Sequence, residues 1–142
     1  MSKFYETLEE LIFDRGLDVY GFAKEVRLDA SCISDYKNLN SLPSFKNLIK
    51  FADYFNCSTD FLLGLEECNF NLVFKPCPPF GERLNFVLEA LNKKPIDIYG
   101  DKHISKSEFF DWKSGKRLPS CENLIKLADK LDCRVDFLLG RE

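Results

Sequence analysis

The chain repeats itself at an offset of 76 residues. Residues 42–64 and 118–140 align without a gap and are identical at 15 of 23 positions. The agreement continues upstream at lower identity, as in the pair Phe4 and Phe80. This offset is longer than the roughly 20–50 residues of solenoid repeats, and a unit of about 60 residues can enclose its own small core. The repeat therefore predicts a duplicated domain.

The repeat divides the chain into three segments. We predict one unit at residues 1–64, a short linker at residues 65–79 and a second unit at residues 80–142. A content of 45% hydrophobic and 30% charged residues is typical of globular chains. In the linker, the FNLVF stretch at residues 70–74 is suited to one short extended piece.

Apolar residues recur at helical spacing within each unit. Leu48, Ala52 and Phe55 form one such stripe, and the repeat carries its counterpart. Ser44 and its equivalent Ser120 precede these stripes and are good N-caps. The pattern predicts an all-α chain with five helices in each unit.

Each unit also contains two short predicted helices joined by a tight turn. They lie at residues 18–26 and 30–38 in the first unit, and at residues 95–102 and 106–114 in the second. Two short helices joined in this way, inside a five-helix unit, describe a helix-turn-helix.

At this point the sequence resembles a known family. Residues 109–140, FFDWKSGKRLPSCENLIKLADKLDCRVDFLLG, are similar to the core of Cro/lambda-repressor-type helix-turn-helix domains of the XRE family. The similarity lies in the pattern W-x-x-G-K-x-x-P-S, an amphipathic helix and then D-F-L-L-G, with a looser version at residues 34–64. The resemblance implies two tandem lambda-repressor-like units, each placing its third helix in the major groove of double-stranded DNA.

The resemblance also implies which side chains approach DNA. The start of the third helix would face base edges, where Lys and Ser can bond bases, Glu can accept from cytosine and Ala can touch a thymine methyl. Basic groups in the following loop would neutralise phosphates. In the second unit these residues are Lys106, Ser107, Glu108, Lys113, Lys116 and Arg117. In the first unit they are Ala30, Ser31, Lys37 and Asn38.

The charge distribution keeps a second interpretation open. The net charge is −3, and residues 1–64 hold 7 basic and 10 acidic side chains against 11 and 10 in residues 80–140. Asp35 and Asp111 occupy a site where relatives often carry Arg or Gln, and they would repel phosphate unless they pair with a neighbouring lysine or point to solvent. The first interpretation is a sequence-specific DNA-binding transcriptional regulator with two heads. The alternative is a protein-interaction module in which one or both units have lost DNA binding, and a homodimer or a protein partner fits either interpretation.

Other functional classes lack a signal in the sequence. His103 is the only histidine and the six cysteines contain no CxxC pair, so we expect no metal site. Cys68 and Cys77 bracket the linker and would pair only if oxidised. No apolar run approaches the roughly 18 residues of a membrane span. We therefore expect a cytoplasmic protein that is not an enzyme and uses no cofactor or small-molecule substrate.

Overall fold

A computed structural model describes residues 3–67, 73–101 and 103–142. Within these residues the secondary structure is helical with no β-strand, which confirms the predicted all-α fold. The helices are α1 (Lys3–Asp14), α2 (Val19–Glu25), α3 (Ala30–Asn38), α4 (Phe45–Phe55), α5 (Thr59–Leu62), α6 (Phe80–Ala90), α7 (Pro95–Tyr99), α8 (Lys106–Ser114), α9 (Cys121–Leu131) and α10 (Val135–Leu139). None of these helices is long and apolar enough to cross a membrane. Cys68 and residues 70–72 of the predicted extended piece lie outside the described residues.

The chain divides into two compact units, Met1–Leu72 and Val73–Glu142. The helices α2 to α5 of the first unit begin 76 residues before α7 to α10 of the second, as the repeat requires. The linker predicted at residues 65–79, and the boundaries at either side of it, stay a prediction.

The third helix of each unit has the predicted bounds, whereas α7 is shorter than predicted. It ends at Tyr99 and not near residue 102. Glycine at position 100 is a poor helix former, and its backbone N–H closes the last turn on the carbonyl of Ile96. Asp101 then accepts a bond from the backbone N–H of His103 at 3.1 Å, which turns the chain toward α8.

Serine N-caps start the fourth helix of each unit, as predicted. The Ser44 hydroxyl accepts from the backbone N–H of Asn47 at 3.2 Å, and the Ser120 hydroxyl accepts from that of Asn123 at the same distance. Each bond satisfies one amide that has no partner inside the helix. The matching caps give α4 and α9 the same start relative to the two short helices that precede each of them.

The first unit has a core rich in aromatic rings. Phe51 of α4 lies at its centre, 5.4 Å from Phe22, 6.0 Å from Tyr36 and 6.5 Å from Phe4 between ring centroids. Phe55 stacks on Phe22 at 5.3 Å. These rings come from α1, α2, α3 and α4, so the core holds α2 and α3 against both α1 and α4.

The second unit fills the equivalent space with a different set of side chains. Leu127 stands where the first unit has phenylalanine, and Ile98 likewise replaces a phenylalanine. Phe109 and Trp112 of α8 take the places of an isoleucine and a tyrosine. All four are buried. In this unit the large rings therefore come from α8, whereas α9 contributes the smaller Leu127. The larger side chains on α8 compensate in volume for the smaller ones elsewhere, so the core stays filled.

Loss of one N-cap should have a measurable cost in the second unit. We expect Ser120→Ala to lower the free energy of unfolding of this unit by about 1 kcal/mol, because the amide of Asn123 loses its acceptor. Trp112 is the only tryptophan and is buried, so its fluorescence during denaturant unfolding reports on this unit. Ser120→Asp keeps a capping oxygen and should retain stability. An equal loss in both variants would contradict the assignment of the cap.

Candidate nucleic-acid interface

The helix α8 is oriented by its own buried residues. Phe109 and Trp112 are buried on one side of the helix. The hydroxyl of Ser105 caps the helix by accepting from the backbone N–H of Glu108 at 3.1 Å. The helix packs against α6 and α7. Because its buried side is occupied, the opposite face of α8 is directed away from the core of its unit.

The residues predicted to approach DNA in the second unit lie on or after this face. Lys106, Ser107 and Glu108 are exposed at the start of α8, and Lys113 is half-buried near its end. Gly115 ends the helix with a φ of +83°, a conformation that favours glycine. Lys116 and Arg117 follow it and are exposed. The six side chains thus lie along α8 and the loop that follows it, three at the start of the helix and three at or after its end.

Glu108 is engaged within the protein. Its Oε1 accepts from the hydroxyl of Ser105 at 3.2 Å, and its Oε2 accepts from the side-chain amide of Asn123 at 3.2 Å. One carboxylate thereby completes the cap of α8 and joins α8 to the first turn of α9. A cytosine contact by Glu108 stays a prediction, and it would have to share an oxygen that already accepts one of these bonds.

Asp111 lies beside a cation. The Nε of Arg117 is 3.6 Å from a carboxylate oxygen of Asp111, and the backbone N–H of Arg117 donates to the carbonyl of Asp111 at 3.2 Å. The guanidinium side chain is 70% exposed and the carboxylate side chain 21% exposed. Asp111 therefore has a basic neighbour, although that neighbour is an arginine and not the lysine expected as its partner. The pairing also leaves the guanidinium accessible from solvent.

Two lysines of α8 lie over aromatic rings. The Nζ of Lys106 is 5.7 Å from the centroid of Tyr99, and the Nζ of Lys113 is 5.9 Å from the centroid of Phe110. At such distances the ammonium group is attracted electrostatically to the face of the ring. The ammonium groups are thereby placed at both ends of an aromatic pair, whose rings are 5.9 Å apart.

The first unit presents a less basic surface at the equivalent place. In α3, Ile33 and Tyr36 are buried, so this helix is oriented in the same way as α8. Ser31, Lys37 and Asn38 are exposed and Ala30 is half-buried, so all four lie at or near the surface of α3. Lys37 is the one cation among them.

The loop after α3 also differs from the loop after α8. The Ser41 hydroxyl donates to the carbonyl of Asp35 at 3.4 Å. At the equivalent place in the second unit, the backbone N–H of Arg117 donates to the carbonyl of Asp111, and the Arg117 side chain lies beside the Asp111 carboxylate. Asp35 is exposed. The polar loop of the first unit therefore has less positive charge to offer a phosphate than the loop of the second.

Two residues near this surface were not among the predicted site residues. Phe110 is 40% exposed although it is a large apolar side chain, and Tyr99 lies beside it. Helical spacing carried a signal for Phe110, since it is three residues after Ser107 and four before Ser114. Tyr99 is a large residue between the two short helices, and its contact with Phe110 depends on how α7 packs against α8.

The described residues show no cluster suited to a metal ion. No group of three or more His, Cys, Asp or Glu residues lies close enough together to hold one in residues 3–67, 73–101 and 103–142. Cys121, next to the loop after α8, is buried, and this burial together with Glu122 raises the pKa of its thiol to about 12. The thiol is therefore protonated at neutral pH and poorly suited to ligate a metal.

The chain is similar to a phage repressor. It is 38% identical over 60 residues to the cryptic phage CTXphi transcriptional repressor RstR of Vibrio cholerae serotype O1. The match covers 42% of this chain and 54% of the repressor, so the chain spans about half the length of the relative it matches. No family model matches the chain, and no solved structure matches it significantly. The matched length is close to that of one five-helix unit.

Proposed function

We propose that this protein is a sequence-specific DNA-binding transcriptional regulator built from two tandem helix-turn-helix units of the XRE, Cro/C1 type. The observation that carries the proposal is the set of four cations on α8 and in the loop after it, Lys106, Lys113, Lys116 and Arg117, all of which are exposed or half-buried. The similarity to a phage transcriptional repressor supports the same function. The protein would act by binding double-stranded DNA, without catalysis, a cofactor or a small-molecule substrate.

In the proposed binding mode, the first turn of α8 contacts bases, and the last turn and the following loop contact phosphates. The exposed first turn, with Lys106 and Ser107, would meet base edges and provide sequence discrimination. Lys113, Lys116 and Arg117 would neutralise phosphates on the flanking backbone. Glu108 would position the first turn through its bonds to Ser105 and Asn123.

Two unlike heads on one chain would recognise an asymmetric site. In dimeric helix-turn-helix proteins the two half-sites lie about one helical turn apart, roughly 34 Å. Linking the heads covalently raises their effective concentration, so that a weakly basic first unit can still add affinity. The polar face of α3, with Ser31, Lys37 and Asn38, would read its half-site less tightly than α8 reads its own.

A second candidate function concerns the first unit alone. Its third helix exposes both Asp35 and Lys37, and the loop after it has Ser41 in place of an arginine. A surface of this kind suits a polar protein partner, or a second copy of the chain, better than it suits a phosphate backbone. In that case the second unit would bind DNA and the first would recruit the partner.

Selection from a random duplex library distinguishes these functions. We expect the full chain, at about 0.1 M salt, to enrich a site with two unlike half-sites, and the triple variant Lys106→Ala, Lys113→Ala, Arg117→Ala to lose that enrichment. Lys37→Ala in the first unit is the matched control and should weaken selection of one half-site only. Recovery of a single half-site would assign the first unit to a protein partner. Failure to enrich any sequence would overturn the proposed function.

A further inference from the structure

One apolar side chain interrupts the polar outer face of α8. Residues at spacings of three and four along a helix share a face, which here comprises Ser107, Phe110, Asp111 and Ser114. Phe110 is 40% exposed, whereas its helix neighbour Phe109 is fully buried. The core of the unit does not need the exposed part of this ring, so its apolar surface is available to a ligand.

The ring of Phe110 is held in place from behind. Phe109 contacts it edge-to-face at 5.3 Å between centroids, and Tyr99 of α7 lies at 5.9 Å. A ring supported by two others loses little conformational freedom when a ligand covers its outer side. The exposed part of the ring therefore provides a contact of restricted mobility on the outer face of the helix.

Charge around the ring favours a nucleic acid as the ligand. Lys113 lies over Phe110 itself and Lys106 lies over the adjoining Tyr99, so that ammonium groups flank the aromatic pair on both sides. An apolar contact bordered by cations fits a polyanion that displays apolar groups between its phosphates. The first unit has Ala23, Ser34 and Ala30 at the positions of Tyr99, Phe110 and Lys106, so its third helix carries no such ring.

We propose that Phe110 contacts the 5-methyl group of a thymine in the major groove and makes the second unit discriminate in favour of thymine at that position. This inference rests on the proposed function, because it takes α8 to be the helix that enters the groove. The thymine methyl is the apolar group on the major-groove edge of a base pair. Opposite a phenyl ring, the donor or acceptor of another base would lose its hydration without gaining a partner.

Replacement of thymine by deoxyuracil tests the contact directly, since it removes the methyl group and leaves all hydrogen-bonding groups unchanged. The probe is the duplex enriched by the full chain, with deoxyuracil introduced at one thymine at a time. We expect one position in the half-site of the second unit to lower the affinity of the unaltered protein about 3- to 5-fold, equivalent to roughly 0.8 kcal/mol for one buried methyl. Phe110→Ala should bind the thymine duplex correspondingly less tightly and should no longer distinguish it from the deoxyuracil duplex.

Control variants separate the contact from a general loss of structure. Phe110→Leu keeps an apolar side chain at this position and should retain sensitivity to the methyl group. Ser34→Ala, at the equivalent position of the first unit, should leave this sensitivity unchanged. The fluorescence of Trp112 establishes that the second unit is folded in each variant.

The outcomes are distinguishable from failure of the proposed function. Enrichment of a duplex with a deoxyuracil effect of equal size in the unaltered protein and in Phe110→Ala would overturn the inference and leave the proposed function intact. The inference is likewise overturned if replacement of no thymine by deoxyuracil changes the affinity. It is also overturned if Phe110→Ala leaves every affinity unchanged, and the exposed ring would then be assigned to a protein partner. If no duplex is enriched at all, the proposed function fails and the thymine contact fails with it.

Discussion

Replacing Lys113 and Arg117 together by alanine should weaken binding of the enriched duplex roughly 10- to 100-fold near 0.1 M salt. The reason is the release of counterions, since each phosphate neutralised by a basic side chain contributes about 0.9 to the slope of log affinity against log salt. The double variant should therefore lower that slope by about 2. Titration of a labelled duplex at several salt concentrations measures both quantities.

Two comparisons make this result specific to the surface at α8. Lys126→Ala with Lys75→Ala removes the same charge from exposed positions outside α8 and its following loop, and should change affinity far less. Asp111→Asn removes the carboxylate beside Arg117 and should strengthen binding, because a negative charge near the phosphates is lost. An unchanged affinity and salt slope in the Lys113, Arg117 double variant would place the DNA contact elsewhere on the protein.

Replacing Asp136 by alanine should destabilise the second unit by about 3–5 kcal/mol, the range expected when one partner of a buried ion pair is removed. The Nη1 of Arg141 lies 2.8 Å from the Oδ1 of Asp136, and the side chains of Asp136 and Arg141 are 0% and 1% exposed. The guanidinium of Arg141 also lies over the ring of Phe74 at 4.3 Å from its centroid. The backbone carbonyl of Arg141 accepts from the backbone N–H of Lys75 at 2.7 Å. Loss of the carboxylate removes a counter-charge from this buried guanidinium.

Arg141→Ala should be less damaging than Asp136→Ala. A second guanidinium, that of Arg134, remains 3.7 Å from the carboxylate and partly compensates it. The first unit supplies the matched control, since Leu65 stands at the position of Arg141 and is 50% exposed. We expect Leu65→Ala to cost less than about 1 kcal/mol.

Denaturant unfolding followed by the fluorescence of Trp112 measures the losses in the second unit, and unfolding followed by helical circular dichroism measures the cost of Leu65→Ala in the first. The double variant Asp136→Ala, Arg141→Ala completes a cycle in which the coupling energy should reach roughly 0.5–3 kcal/mol, as for residues in direct contact. Simple additivity of the two single losses would show that the pair contributes no interaction of its own. It would then assign the destabilisation to lost packing at the C-terminal end of α10.

Much of the local structure could be predicted because it depends on short-range signals. The bounds of α3 and α8 follow from apolar spacing, and that of α8 also from the Ser105 cap. The fourth helices start at serines because a serine hydroxyl accepts from the backbone N–H three residues further on. The early end of α7 was missed. It depends on Gly100 and Asp101, whose effect outweighs the continuing helical pattern.

Only part of the candidate site could be predicted from such short-range signals. The exposed lysines at the start of α8 follow from their helix position, which needs only the identity of the buried face. The engagement of Glu108 by Asn123 joins two helices across 15 residues, and the contact of Tyr99 with Phe110 joins α7 to α8. These contacts depend on how helices pack, for which a single sequence carries no direct signal.

By itself, the sequence determined that the chain is all-α, that its pattern occurs twice at an offset of 76 residues, and where most helices begin and end, because spacing and capping act over a few residues. Only the tertiary structure decided which side chains on and next to the outer face of α8 have partners within the protein and which are exposed. It pairs Asp111 with Arg117, engages Glu108 inside the protein, and leaves the ring of Phe110 exposed between two lysines. The physical reason is that each of these side chains has several possible partners in the sequence, and helix packing brings only some of them within contact distance.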